Sequence, residues 1–149
     1  MGDIPKNLSH CPLKYVKYCD HDGIYAGDTD AQFLSLGIST WDNQELSLKV
    51  WRKKDENSSW SRQSEELPLH RAIDLTMLLV TEMLHEDKIE FTCKDSNKEL
   101  IEIQKNKEVD RLKKIKNLDD YFNSNKDNEV MIKYRLRALK LKIDKLLSE

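Results

Sequence analysis

The clearest hydrophobic pattern in the chain is a pair of alternating segments in its first third. Residues 34–39 are Leu-Ser-Leu-Gly-Ile-Ser and residues 46–51 are Leu-Ser-Leu-Lys-Val-Trp, so aliphatic side chains alternate with small or polar ones and, at the last position, with Trp51. The polar run from Asp42 to Glu45 between them supplies a turn. Alternation of period two is typical of strands with one buried face. The pattern predicts an antiparallel hairpin with one apolar face and one small polar face.

A third extended segment is predicted from Ser59 to Glu65, which would complete an antiparallel meander, and a short strand is predicted at Leu13 to Tyr18. The third segment has no apolar row on either face, since Trp60, Arg62 and Ser64 alternate with polar neighbours. A strand that lacks the apolar row of a core strand breaks a local folding rule, and such breaks often mark functional positions.

An apolar helix is predicted from Pro68 to about His85. Proline is tolerated in the first turn of a helix because its missing N–H would have no helical partner there. The apolar positions cover more than one stripe of the helix: Leu69, Ala72, Ile73, Leu75, Leu78, Leu79, Val80, Met83 and Leu84. Such a helix is central, and its packing against the apolar face of the hairpin would form the core.

Beyond Asp87 the pattern predicts a short strand at Ile89 to Cys93 and then a charged helical tail. One helix is predicted at about Lys98 to Lys116. A second carries apolar residues at alternating spacings of four and three, as in a coiled coil: Ile132, Leu136, Leu139, Ile143 and Leu146. We therefore expect an α+β core domain at 1–93, with a three-stranded meander on one central helix, and a helical hairpin or oligomerisation tail at 94–149 that makes a homo-oligomer.

Composition narrows the functional classes. The chain has 149 residues, of which 25 are basic and 27 acidic, so a formal charge of -2 gives no overall attraction to nucleic acid or anionic membranes. No apolar run is long enough to span a bilayer. Three cysteines without paired spacing, Cys11, Cys19 and Cys93, favour a reducing compartment. We expect a cytoplasmic protein with no membrane association.

Four motifs carry a resemblance to a known family. They are Ile4-Pro-Lys-Asn-Leu, Asp22-Gly-Ile-Tyr-Ala with the nearby Thr29-Asp-Ala, Lys49-Val-Trp-Arg, and the block Trp60-Ser-Arg-Gln-Ser-Glu-Glu-Leu-Pro-Leu-His-Arg. Together they resemble a family of small bacterial and mobile-element proteins known only as a domain of unknown function. The resemblance covers about the first 85 residues, implies no activity, and leaves the tail after Lys94 outside the pattern.

The candidate site gathers around that twelve-residue block. Guanidinium groups suit bidentate oxyanions, and an indole face can stack on a flat ring. The predicted ligand-binding residues are Trp51, Arg52, Trp60, Arg62, Gln63, His70 and Arg71. In the alternative interpretation, the arginines pair with Glu65, Glu66 and Asp74 and the tryptophans close the edge of the core. Arg71 and Asp74 can pair at helical spacing, and Asp74 can also orient His70.

Two other constellations give alternative functions. A metal-dependent hydrolase would use the carboxylates between Asp20 and Asp30 with Glu65, Glu66 and His70, although no metal-ligand motif is present. A basic stripe at Lys133, Arg137 and Lys140 would suit phosphates, but solvated flanks of a coiled coil explain it more simply.

The sequence predicts a noncatalytic protein, without cofactor or metal, that binds or sequesters an anionic small molecule such as a nucleotide, in a setting of bacterial or phage conflict. A protein-interaction or inhibitor module that acts through the tail is the first alternative, and the hydrolase is the second. Nucleic acid is not an expected partner.

Overall fold

A four-stranded antiparallel sheet forms the centre of the protein in a computed structural model that describes residues 3–6, 10–61, 66–91, 99–109 and 113–148. Its strands are β1 (Cys11–Lys17), β2 (Ala31–Ile38), β3 (Leu46–Arg52) and β6 (Gln104–Lys105), in the order β3-β2-β1-β6. Two further short strands, β4 (Lys88–Ile89) and β5 (Ile101–Glu102), pair with each other. The predicted hairpin is β2–β3, and the α+β class is confirmed.

Strand β2 is buried along its whole length, on both faces of the sheet. Leu34 packs in one core cluster with Val16 and Leu78, while Ser35, on the opposite face, is also fully buried. The small polar face of the hairpin is therefore not an open surface for a ligand. His10 and the indole of Trp51 cover it, since both reach the hydroxyl of Ser35.

Gly37 lies at the tightest point of this covered face. A Cβ there would lie 2.3 Å from the carbonyl oxygen of Cys11 and 2.8 Å from the Nε2 of His10. Because the first of these neighbours is backbone, we expect Gly37→Ala to destabilise the fold by about 1–3 kcal/mol through overpacking. Urea denaturation would measure the loss. The exposed Thr40→Ala is the control and should change stability by less than about 0.5 kcal/mol; equal values for the two variants would contradict the prediction.

The predicted apolar helix is confirmed as α1 (Leu69–Met83), with Pro68 directly before it. It is not covered on several sides as predicted, since Leu69 is 86% and Ile73 62% exposed. Leu75 and Leu78 are its buried apolar residues, and they pack on the face of the sheet formed by Val16, Leu34 and Val50. The helix ends next to His85, whose φ of 58° is left-handed and turns the chain away.

Two structural predictions are wrong. The sheet has four strands rather than a three-stranded meander, because β1 and β6 complete it in place of the segment after β3. Residues 59–61 form no strand, although the backbone N–H of Ser61 donates to the carbonyl of Arg52, and residues 62–65 lie outside the described part. The helix expected at 98–116 is also wrong, since β5 and β6 lie in that range.

Residues beyond position 94 contribute to the core of the protein. Ile103 belongs to the cluster under α1, and Asn106 is buried, donating a hydrogen bond to the carbonyl of Pro12. Ile115 and Phe122 pack against Leu36 on the hairpin. The division at residue 93 stays a prediction about independent folding.

Two helices complete the chain. Helix α2 (Leu118–Ser124) buries Tyr121, whose hydroxyl donates to Glu45. Helix α3 (Lys126–Leu147) is capped by the side chain of Asn125 and contains no buried residue. No helix in the described ranges is long and apolar enough to cross a bilayer.

Candidate functional site

A buried carboxylate, Asp22, joins the loop between β1 and β2 to the first turn of α1. Its side chain is fully buried and accepts two hydrogen bonds from Arg71, one from Nε at 3.0 Å and one from Nη2 at 2.8 Å. The hydroxyl of Thr29 donates at 2.5 Å, and the Nε2 of His70 lies 2.8 Å away. We call Asp22, Thr29, His70 and Arg71 the Asp22 cluster.

The electrostatics of the Asp22 cluster favour the ionised pair. Burial alone would raise the pKa of Asp22, but hydrogen bonds from Arg71, Thr29 and His70 outweigh it and lower the pKa. The same pairing raises the pKa of Arg71. Removing either partner would leave an uncompensated charge in the interior.

Asp74, the partner predicted for both Arg71 and His70, contacts neither of them by a hydrogen bond or ion pair within the described residues. It instead accepts a 2.5 Å hydrogen bond from the hydroxyl of Tyr18. Burial raises the pKa of Asp74 above its usual value, even though this hydrogen bond acts in the opposite direction. Two carboxylates, Asp22 and Asp74, thus tie the N-terminal half of the chain to one face of α1.

His70 is the part of the cluster that solvent reaches. Its side chain is 30% exposed, and its ring packs on Gly23, whose φ of 55° suits glycine, and near the ring of Tyr25. An ionised carboxylate only accepts, so the Nε2 of His70 carries a proton and donates it to Asp22. An oriented imidazole could take a proton from a ligand, but no hydroxyl or thiol nucleophile is hydrogen-bonded to it in the described structure.

The predicted tryptophans close one edge of the core. Trp51 is 1% exposed and donates from Nε1 to the hydroxyl of Ser35 at 2.7 Å. Trp60 is half-buried and packs edge-to-face on Trp51, with ring centroids 5.7 Å apart. The buried Trp51 offers no free face for a ligand to stack on, as in the alternative interpretation of these residues.

Arg52 lies beside this edge and is also paired. One of its terminal nitrogens is 3.4 Å from Asp30, and the other donates to Ser61 at 3.2 Å. Asp30 also approaches Arg71 at 3.8 Å, so a single carboxylate links the two arginines. The guanidinium groups of Arg52 and Arg71 therefore meet at a carboxylate of the chain itself. Arg62 and Gln63 lie outside the described residues.

A second buried polar group occupies the opposite side of the sheet. His10 is 3% exposed, with Nε2 2.9 Å from the hydroxyl of Ser35 and Nδ1 3.0 Å from that of Ser47. Burial, aided by the charge of Lys49, lowers the pKa of His10 to about 4. The ring is therefore neutral at pH 7, and both of its nitrogens have partners.

The carboxylates proposed for a metal site do not form one in the described ranges. No group of three or more histidine, cysteine, aspartate or glutamate side chains there could hold a metal ion. Both carboxylate oxygens of Asp22 are already hydrogen-bonded, to Arg71, His70 and Thr29. Glu65 lies outside the described residues. The geometry consequently gives the hydrolase hypothesis no support.

The feature missed by sequence reasoning is the role of Asp22. The Asp-Gly pair at 22–23 is typical of a turn, in which aspartate bonds to its own backbone. The only available signal was the presence of this segment among the resemblance motifs, beside Thr29.

The sequence model of a family of unknown function, DUF6530, covers residues 2–148. The chain belongs to this family. The match extends through α2 and α3, which corrects the expectation that the tail lies outside the family pattern. No curated protein and no solved structure matches the chain.

Proposed function

We propose that the chain is a noncatalytic protein-interaction module that binds a partner through α3. The observation that carries this proposal is the exposure of a 22-residue helix that contains no buried residue. From Arg137 to Ser148 every residue is exposed. At 1.5 Å per residue, the helical part of this segment extends for roughly 16 Å.

The exposed segment keeps the apolar spacing of a packing surface. We call Ile132, Leu136, Leu139, Ile143 and Leu146 the seam. Ile132 packs against the hairpin cluster, whereas Leu139 is 42%, Ile143 41% and Leu146 72% exposed. The first residue of the seam therefore packs on the core of the protein, whereas the last three are exposed to solvent. An exposed apolar row of this kind favours binding to the surface of another molecule.

Local interactions give this helix only modest support. Lys133 pairs with Glu129 at 2.9 Å and Lys140 with Asp144 at 2.7 Å, each at i,i+4 spacing on the surface. Such pairs contribute a few tenths of a kcal/mol each. Because most helical stability in proteins comes from packing of an apolar face, a partner on the seam would stabilise the outer half of α3.

Binding of an anionic small molecule, the leading prediction from the sequence, has weaker support. Arg71 donates two hydrogen bonds to the carboxylate of Asp22. Arg52 pairs with Asp30 and donates a hydrogen bond to Ser61. A ligand would have to displace these carboxylates or bind beside them. The interaction proposal keeps the cytoplasmic location expected from the cysteines, and it requires no cofactor.

Site-specific photo-crosslinking in the native host cells tests the proposal. A photo-crosslinking amino acid replaces Leu146, on the seam, in one variant of the full chain and Leu141, on the opposite face, in another. These leucines are equally exposed, at 72% and 71%. We expect a discrete adduct from position 146 and little or none from position 141, because a helical partner covers one face only. Gel mobility and mass spectrometry would identify the adduct.

Equal adducts from both positions would indicate random collisions and refute the proposal, as would the absence of an adduct from either. The mass of a specific adduct also separates a second copy of the chain from a different protein.

A further inference from the structure

We infer that the partner surface that covers the seam of α3 is an acidic amphipathic helix of a different protein. This inference rests on the proposed interaction function and specifies the chemistry of its partner.

The seam is bordered by basic residues on both sides. Lys133 and Lys140 follow seam residues at the position called e in a coiled coil, and Arg135 and Lys142 precede seam residues at the position called g. We call these four residues the basic flanks. From Ile132 to Ser148 the helix carries six basic side chains and one acidic side chain. A partner must therefore bring its own carboxylates.

The two flanks differ in how far their charge is already compensated. Lys140 is paired with Asp144, and Lys133 with Glu129, within the helix. Arg135 and Lys142 have no carboxylate partner anywhere in the described residues. We therefore expect the carboxylates of the partner to lie mainly along the side of the seam that carries Arg135 and Lys142.

A second copy of α3 fits this surface poorly. In a parallel pair of helices the g positions of one face the e positions of the other, and in an antiparallel pair e faces e and g faces g. Contacts between the basic flanks, such as Arg135 against Lys140 in a parallel pair, would place like charges together. The e position after Leu146 is the apolar Leu147, so the repulsion is concentrated in the part of the seam before it. Like charges across an interface are unfavourable, so the flanks oppose self-association while the seam favours helix packing.

An anionic membrane fits less well than an acidic helix. A helix that lies on a membrane has a strongly polar face opposite its apolar one. The face of α3 opposite the seam instead exposes Val130, Tyr134 and Leu141. The seam is also a narrow stripe with coiled-coil spacing, which suits another helix rather than a lipid surface.

Two synthetic helical peptides test the inference with the purified full chain. Both have leucine at every a and d position; the acidic peptide has glutamate at every e and g position, and the basic peptide has lysine there. We expect the protein to bind the acidic peptide at least about tenfold more tightly than the basic one. We also expect this affinity to fall as salt screens the charges. Isothermal titration calorimetry would measure both.

Charge reversal supplies the matched comparison. Arg135→Glu/Lys142→Glu should abolish or invert the preference between the peptides. The control, Arg137→Glu/Lys145→Glu, changes the net charge equally but lies away from the seam, and should keep the preference. Helical circular dichroism would show that both variants retain α3.

Equal affinities for the two peptides, or no binding of either, would overturn the inference. So would stable self-association of the protein alone that is lost in Leu139→Asp, or binding to phosphatidylglycerol vesicles without binding to the acidic peptide. If the in-cell adduct at position 146 forms but the peptide preference is absent, the interaction function stands and only the acidic partner class fails.

Discussion

Replacing Asp22 by alanine is expected to lower the free energy of unfolding by about 3–5 kcal/mol. The substitution leaves the guanidinium of Arg71, whose side chain is 8% exposed, without its bidentate partner in the interior. Asp30, 3.8 Å away and itself 40% exposed, compensates only weakly. Chemical denaturation at pH 7, followed by tryptophan fluorescence, would measure the loss.

The matched control is Asp28→Ala, since Asp28 is an exposed aspartate of the same loop. It should change stability by less than about 0.5 kcal/mol. Adding Arg71→Met to Asp22→Ala should restore part of the lost stability, because the uncompensated charge is then removed. A loss below about 1 kcal/mol in Asp22→Ala would mean that the pair does not hold the loop to α1.

Acidification from about pH 6.5 to about pH 4 is expected to lower the free energy of unfolding by roughly 3 kcal/mol through His10 alone. The pKa of His10 is about 4 in the folded protein and 6.5 in the unfolded chain. Between these values the unfolded chain binds the proton and the folded protein does not, so stability falls as the pH falls from about 6.5 to about 4. Below pH 4 this contribution stays constant. Denaturation at several pH values would follow it.

Other groups also titrate in this range, so the comparison requires a variant. Burial raises the pKa of Asp74 and of Glu82, which makes their contribution rise as the pH falls. The lowered pKa of Asp22 makes its contribution fall only below the unfolded value of 3.8. His10→Gln removes one titration and keeps the others, so as the pH falls from about 6.5 to about 4 the variant should lose less stability than the wild type, by roughly 3 kcal/mol. Parallel curves for wild type and variant would refute the role of His10.

The spacing of apolar residues along the chain predicted those elements whose apolar pattern is regular and lies within one continuous segment. The hairpin and helix α1 were found because each has a uniform apolar pattern over seven or more residues. The burial of Ser35 and Gly37 was not predictable in this way, since it depends on His10, which reaches them from another segment. A small polar strand face has the same pattern whether it is solvated or covered.

His70 and Arg71 were among the predicted site residues, but their partner Asp22 was not predictable, for a similar reason. Arg71 has a carboxylate three residues away at Asp74, and helical spacing favours that pairing. The structure instead pairs it with Asp22, 49 positions earlier in the chain. Long-range partners of this kind leave no spacing signal in one sequence, whereas the seam of α3 does, because every member lies on the same helix.

The segment after β4 shows how short strands escape detection. Strands β5 and β6 have two residues each, within a stretch dense in charge. Two residues establish no period, so a helix was predicted from widely spaced apolar residues. Pairing with β1 and β4 determines the conformation instead.

The pairing of β1 with β6 also constrains how the protein can be made on the ribosome. Strands β1 to β3 lie within the first 52 residues. The second edge of β1 cannot be paired until residues 104–105 of β6 have been synthesised, and Asn106 then donates a hydrogen bond to Pro12, 94 positions earlier. At a synthesis rate of roughly 5–20 residues per second, that edge remains open for several seconds. Open strand edges can pair with other chains. The nascent chain is therefore most vulnerable to aggregation before β6 emerges, well after its hairpin is complete.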